Sequence, residues 1–242
     1  MHRSRVVVGF LLAPMFLALV VTTLGCGGSS EEPLVRRFFA ASRMGDNVTL
    51  ANIATVVFDP KRDGQVESMS FVSETEEQVQ PLELKARAEA FRAAQAEEQA
   101  FTNKKREYQD ANAEAIKRVL DAEATNKKLN PKDAAIQAEW TKWRTETQQM
   151  AKKVSEARAR MNENRDVVEV SMQDPQHPID VTLYEGVLAT KEMTVSARVR
   201  TPGGEAVQKT LTLTLQQARL KGDAGDLVGN WVITKIREGS AQ

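Results

Sequence analysis

Between Pro81 and Arg165 apolar side chains recur every third or fourth residue, and no glycine falls between Gly64 and Gly186. That period belongs to a helix, because residues three and four apart share one helical face. Ile136, Trp140, Trp143, Thr147, Met150, Val154, Ala157 and Met161 alternate by four and three, with Thr147 the one polar member. An earlier series runs through Leu84, Phe91, Ala94, Phe101, Tyr108, Ala115, Val119, Ala122 and Leu129, broken by Glu98, Lys105 and Asn112. The expectation is two long helices, the first opened by Pro81. The second is opened by Asn130 as N-cap and Pro131 at the first helical position. Glu83–Arg87, Glu114–Arg118 and Glu123–Lys127 are i,i+4 pairs in the favourable order, each adding about 0.2–0.5 kcal/mol. Two tryptophans and a methionine on one face need a facing helix. A fold-back at residues 129–132 supplies it with an arm of about 50 Å, whereas a straight run would part the flanking segments by roughly 120 Å.

On either side the period changes. Glu31-Glu32-Pro33 starts a helix with Leu34, Val35, Phe38, Phe39 and Ala41 on one face, and Gly45 ends it. Asp46 or Asn47 caps a short second helix through Val57. Residues 59–64 read as a turn, and Gln65 to Val72 alternate as a strand. After Arg165, Val168, Val170 and Met172 alternate with polar residues and predict another strand. A turn at 174–178 follows. Met193, Val195, Ala197 and Val199 then define a long strand, Thr201-Pro202-Gly203-Gly204 a hairpin, and Val207, Leu211, Leu213 and Leu215 the return. Residues 231–236 close the sheet. The fold class expected is α+β: a small domain of N-terminal helices and a curved antiparallel sheet, interrupted by an antiparallel, coiled-coil-like helical hairpin. Its parts are a leader (1–25), a tether (26–32), a first half (33–80), the hairpin (81–165) and a second half (166–238).

Composition narrows the chemistry. The charge balances, with 33 basic and 33 acidic residues, and gives no basic stripe for nucleic acid. Aromatics make up 5% of the chain, so the core rests on aliphatic residues. Cys26 is the single cysteine, which rules out an intrachain disulfide; His2 and His177 are the only histidines, too few for a zinc site of the usual ligands. A Ser-His-Asp arrangement has one candidate base, in a proline-flanked turn, and no nucleophile elbow. Gly203-Gly204 is a hairpin, not a phosphate cradle. No catalytic residue, cofactor or metal is expected.

The N-terminus carries an address. His2-Arg3-Ser4-Arg5 is a basic region, and Val6 to Val21 is apolar but short for a spanning helix. Leu24-Gly25-Cys26, followed by Gly27-Gly28-Ser29-Ser30, resembles a bacterial lipoprotein precursor. That resemblance implies a signal peptide removed before Cys26, acylation of its thiol (a palmitate modification), and export to the periplasmic side of the cell envelope. Gly27 offers no aspartate-type inner-membrane retention signal, so an outer membrane is the implied destination in a two-membrane envelope. Ordinary cleavage nearby and an uncleaved anchor are the alternatives.

Val35-Arg36-Arg37-Phe38-Phe39-Ala40-Ala41 with Gly45-Asp46, then Leu50 to Val57, resembles the opening of a nuclear-transport-factor-two-like (cystatin-like cone) domain. Gly229-Asn230-Trp231-Val232-Ile233 resembles that fold's closing strand. The family does not normally carry an insertion of this size. The resulting expectation is a lipid-anchored, non-enzymatic envelope protein of structural or protein-contact role. Its arm would meet an envelope protein or a second copy through Ile136, Trp140, Trp143, Met150, Val154 and Met161. The alternatives are a small-ligand or enzymatic pocket in the α+β domain, and an adaptor-like component of an envelope transport complex.

Overall fold

The computed structural model describes residues 30–222 and 225–239. Cys26 and the leader lie outside the described residues. The chain opens with α1 (Glu32–Met44), which buries Val35, Phe38 and Phe39 and ends at Gly45 in the left-handed conformation. There the Asp46 N–H returns to the Ala41 carbonyl at 2.9 Å, closing the cap that glycine's missing Cβ permits. The Asp46 carboxylate then accepts from the Thr49 N–H at 3.0 Å and starts α2 (Asn47–Ile53).

Among the described residues the sheet has six strands, and its paired strands are antiparallel. Its spine is the ribbon of β3 (Glu185–Arg200) and β4 (Ala206–Gly222), paired from Glu185↔Lys221 to Arg200↔Ala206 without a shift of register. Beside β3 lie β1 (Gln65–Glu74) and then β2 (Gln78–Pro81); beside β4 lie β6 (Val232–Glu238) and β5 (Gly225–Val228). Bulges at Val66/Ser68, Phe71/Ser73 and Thr214/Leu215 add local twist and curl the sheet.

A strand of period two sends alternate side chains to opposite faces. Met193, Val195, Ala197, Val199, Leu211, Leu213 and Leu215 carry odd numbers, and all join a core with Phe38, Phe39 and Ile53 of the two N-terminal helices. Leu188, Ala218 and Leu220 carry even numbers and form a second core with Leu82, Leu84, Val168 and Val181. The unbroken register therefore puts these two cores on opposite faces of the ribbon.

Pro81 does not open a helix. It ends β2, opposite Val187, and the helix begins at Leu84. β2 lies along the outer side of β3, where proline's missing N–H is tolerated, and the Leu82 N–H continues the pairing to the Gly186 carbonyl at 3.0 Å. Nor is the first long helix continuous. It consists of α3 (Leu84–Ala111) and α4 (Ala113–Ala124), broken at Asn112, whose side-chain amide donates to the Tyr108 carbonyl at 2.9 Å and competes with the helical ladder. Asn130 accepts from the Lys132 N–H at 3.0 Å and caps a single 3₁₀ turn, Pro131–Asp133, that leads into α5 (Ala134–Asn162).

The strand expected after Arg165, at Val168, Val170 and Met172, is a helix instead, α6 (Arg165–Ser171). Asp166 sits in its first turn, Arg165 pairs with Glu169 at 2.7 Å, and Val168 and Ser171, three apart, are its buried positions. Ser171 explains the outcome: its hydroxyl donates to the Asn230 carbonyl at 2.7 Å and accepts from the Ala218 N–H at 2.9 Å. That docks the helix where β5 and β6 leave the edge of β4 uncovered.

Candidate functional site

The long helices meet through the faces that their periodicity marks. Arg87 pairs with Glu163 at 2.7 Å, Glu97 with Lys153, and Lys105 donates to the Thr147 hydroxyl at 2.9 Å. Numbers climb on α3 as they fall on α5, so these helices run in opposite directions. On α5, Trp140 and Val154 are buried, while Ile136, Trp143, Met150 and Met161 are half-buried. The Trp143 ring lies 5.3 Å from Phe101 and 5.8 Å from Tyr108, centroid to centroid, which is the contact range of aromatic pairs. Burial and, secondarily, the Glu139 charge raise the Tyr108 phenol above its ordinary pKa.

One polar break from each apolar series meets the other. Lys105 interrupts α3 and Thr147 interrupts α5; besides their hydrogen bond, the Lys105 ammonium lies 5.5 Å from the Trp140 ring centroid. Thr147 in turn donates to the Trp143 carbonyl at 2.7 Å. A polar pair at one level of an apolar seam fixes register, because sliding either helix would leave both groups facing apolar neighbours. The indole N–H groups of Trp140 and Trp143 are buried without a hydrogen-bond partner among the described residues. These tryptophans contribute packing area rather than polar contacts.

Beyond Asn112 the partners are not those the i,i+4 spacing suggests. Arg118 takes Asp133 in a two-toothed contact, at 2.7 and 3.1 Å, and Glu123 takes Arg144, at 2.9 and 3.0 Å. α4 stops at Ala124, so Lys127 has no helical turn on which to reach Glu123. Arg118 holds the Asp133 carboxyl below its ordinary value, and Arg144, with Gln137 in support, does the same for Glu123. Sequence spacing misses these pairs because they join separate segments. The signal available was Asp133 at the start of α5.

Toward the sheet, α3 and α5 part into an open groove of about 760 Å³. Ala86, Ala90, Ala93, Ala94 and Ala157 line it, and the Arg87–Glu163 and Glu97–Lys153 pairs border it.

Other polar groups are dispersed. His177 faces Asp174 at 3.0 Å in an exposed turn, Tyr184 packs on the second core, and Tyr108 sits on α3. Lys191 is largely buried between Glu31, at 2.6 Å, and Glu74, with Trp231 4.6 Å below it. Burial lowers its affinity for the proton, but the two carboxylates more than reverse this, and its pKa ends above the ordinary value. This cluster joins the start of α1 to the sheet. Among the described residues no group of three His, Cys, Asp or Glu side chains is placed to hold a metal ion. In the same residues, no helix is long and apolar enough to cross a membrane.

The chain was compared with protein-family models, curated proteins and solved structures, and no match was found in any of the three.

Proposed function

We propose that this chain is a lipid-anchored cell-envelope protein, without enzymatic activity, that uses a helical arm inserted in a small α+β domain to contact other proteins. One observation carries the proposal. Leu82 and Leu84, before the long helices, and Val168, after them, belong to the same core. No residue from Lys85 to Asp166 joins either apolar core of the sheet. Some eighty residues therefore leave one spot and return to it without entering either apolar core of the sheet, which supports treating them as an arm. A segment of that length that serves no core needs another use, and its paired faces and alanine-lined groove suit protein contact.

The α1–α2–β1 opening and the curled antiparallel sheet support, as part of the same proposal, a nuclear-transport-factor-two-like architecture for the domain. The envelope address rests on Leu24-Gly25-Cys26 and the tether beyond it.

The test is a comparison of partners captured by the whole chain and by a chain in which a short glycine-serine link replaces residues 85–163. A photocrosslinker near Asn130 should join the whole chain to an envelope protein or to a second copy, and the shortened chain should lose those partners while remaining folded. Equal capture by both chains refutes the arm's role. An unmodified Cys26 in the mature protein refutes the lipid anchor separately.

A second use of the molecule is favoured by a cleft of about 450 Å³ beside Trp231, into which Arg37, Asn52, Gln173 and Asn230 bring polar groups. That mixture of an aromatic wall, amides, the Arg37 cation and the Glu31 carboxylate suits a small polar ligand. A ligand screen read by Trp231 fluorescence tests it, and no shift with any polar ligand class refutes it.

A further inference from the structure

We infer that the alanine-lined groove between α3 and α5 receives a second copy of this chain, with the α3 of each copy lying over the α5 of the other and both α+β domains at one end. The inference rests on the arm proposal and names the partner that the arm meets.

Seam residues divide each long helix into two flanks. On α5, Gln137 and Arg144 stand three before and four after Trp140 and share one flank. Lys153 and Arg160 each stand one before a seam residue, Val154 and Met161, and share the other. On α3, Ala88 stands four after Leu84 on the first flank, while Ala90 and Glu97 stand one before Phe91 and Glu98 on the second. The chain itself covers the first flank. Glu123 of α4 takes Gln137 and Arg144 there. The 3₁₀ turn Val181–Leu183 packs on α3, where Ala88 is buried and Arg92 lies within electrostatic reach of Asp180. The second flanks line the groove of about 760 Å³, in which Ala86, Ala90 and Ala93 are exposed.

The two walls of the groove differ. Alanine methyls form the α3 wall, whereas the α5 wall presents Lys153, Glu156, Arg160 and Glu163. Small side chains let a facing helix approach to about 8 Å. Long charged side chains lay their methylene stems on apolar surface and keep their ends in water. A two-fold axis along the arm sets each α3 wall against the other copy's α5 wall, so small meets large twice. A two-fold axis across the arm at Ala90 would set alanine on alanine and bring Glu83 opposite Glu97 of the other copy.

Charge selects the same orientation. Within one copy Arg87 faces Glu163 and Glu97 faces Lys153. An axis along the arm keeps every residue at its level, so at both levels four charges alternate in sign around it, and each meets its opposite in the other copy too.

Size sets where the contact forms. From Glu83 to Glu97 the groove runs about 20 Å, and two helices are about 20 Å wide, which gives about 400 Å² per copy, half of what a stable interface buries. The pairing is therefore weak in dilute solution and needs copies crowded on one surface. Anchoring in one membrane, as proposed above, supplies the crowding and keeps both domains on the same side.

Two differently tagged full-length chains, one with A93C and one with E156C, are co-expressed, and isolated membranes are oxidised. Ala93 and Glu156 lie at one level on facing walls. Their crosslink should exceed that of A96C with A159C, on the outer sides of the helices, by about tenfold; the parent, with Cys26 alone, sets the background. Adding E97K to the first chain and K153E to the second leaves complementary copies, and the crosslink should stay within about twofold of its level without them. Adding E97K to both opposes lysines at two sites and should lower it about tenfold. Every chain in these two combinations carries one broken pair of its own, so folding is matched. Equal loss in both combinations overturns the inference, because the pairs then act only within a copy. A93C crosslinking to A93C as readily as to E156C overturns it in favour of the crossed axis. Background crosslinking of A93C with E156C, while the photocrosslinker near Asn130 still captures another protein, refutes the second copy alone and leaves the arm proposal standing.

Discussion

Trp140 offers the sharpest test of how the long helices hold together. It is 7% exposed, lies under Lys105 near the Ala111 end of the α3–α5 contact, and its indole N–H has no partner among the described residues. Truncating a buried tryptophan to alanine costs about 3–5 kcal/mol. The seam lies on two helices with solvent on their outer sides and relaxes more readily than a closed core, so Trp140→Ala should fall at the low end, about 3 kcal/mol. That is roughly a hundredfold in an opening equilibrium. Because residues 85–166 enter neither core of the sheet, the loss should stay within the long helices. Amide hydrogen exchange read by mass spectrometry should show α3 and α5 exchanging up to about a hundredfold faster, with β3 and β4 unchanged. Trp140→Phe separates packing from polarity. It removes an N–H that nothing accepts and keeps most of the apolar area, so it should cost less than about 1 kcal/mol. Equal acceleration in β3 and β4 would show one cooperative unit and refute the partition. A phenylalanine variant as damaged as the alanine variant would show that the N–H has a partner after all.

Other outcomes follow from the same geometry. The Lys105–Thr147 pair should show coupling of about 0.5–1.5 kcal/mol in a double-mutant cycle of Lys105→Met and Thr147→Val by chemical denaturation, with the double variant less destabilised than the single losses predict. Asp133 is held below its ordinary value of 3.8. Its contribution is therefore present above that value and disappears as pH falls through the depressed one. Acid titration by circular dichroism should loosen the far end of the arm only below the ordinary carboxylate range, and Arg118→Gln should shift that transition to higher pH. Gly64 has a φ of +93°, and a Cβ there would meet the Arg200 carbonyl oxygen at 2.6 Å. Gly64→Ala should destabilise by more than about 1 kcal/mol in thermal melts.

Much of the fold was legible because it rests on local signals. Gly45 and Asp46 announce a helix stop and a helix start, and both act as such. The alternation in Val195, Ala197 and Val199 and in Leu211, Leu213 and Leu215 survives because one face of the ribbon is buried under α1 and α2. Misreadings arose where a local signal was outweighed by something distant. Pro81 resembles a helix opener, yet strand pairing with Val187 claims it first. The short series Val168, Val170, Met172 fits period two as well as a helical turn, and the contacts of Ser171 with Ala218 and Asn230 decide between them. Those partners lie 47 and 59 residues away. At the candidate site the apolar faces were legible, whereas Arg118–Asp133 and Glu123–Arg144 were not. Such pairs depend on where α4 ends relative to α5, which no fixed spacing encodes.

The Lys191 cluster and the root of the arm have related consequences. Glu31 is the first residue after Ser30, and its carboxylate grips Lys191 on the face that α1 covers. Three residues earlier on β3, Leu188 anchors the root of the arm on the opposite face. The start of α1 and the start of α3 are thus held to one short stretch of one strand, on opposite faces. If this stretch serves as a rigid coupling, Lys191→Met should free the start of α1 while α3 and α5 keep their protection. In the proposed anchored protein, the arm would then lose its fixed angle to the membrane without losing its fold. Pulsed electron resonance between spin labels near Ser30 and near Asn130 reads that angle as the width of a distance distribution. Broadening in Lys191→Met, with the parent chain narrow, is the expected outcome. A parent distribution already as broad as the variant's would show that the coupling is loose and refute the idea.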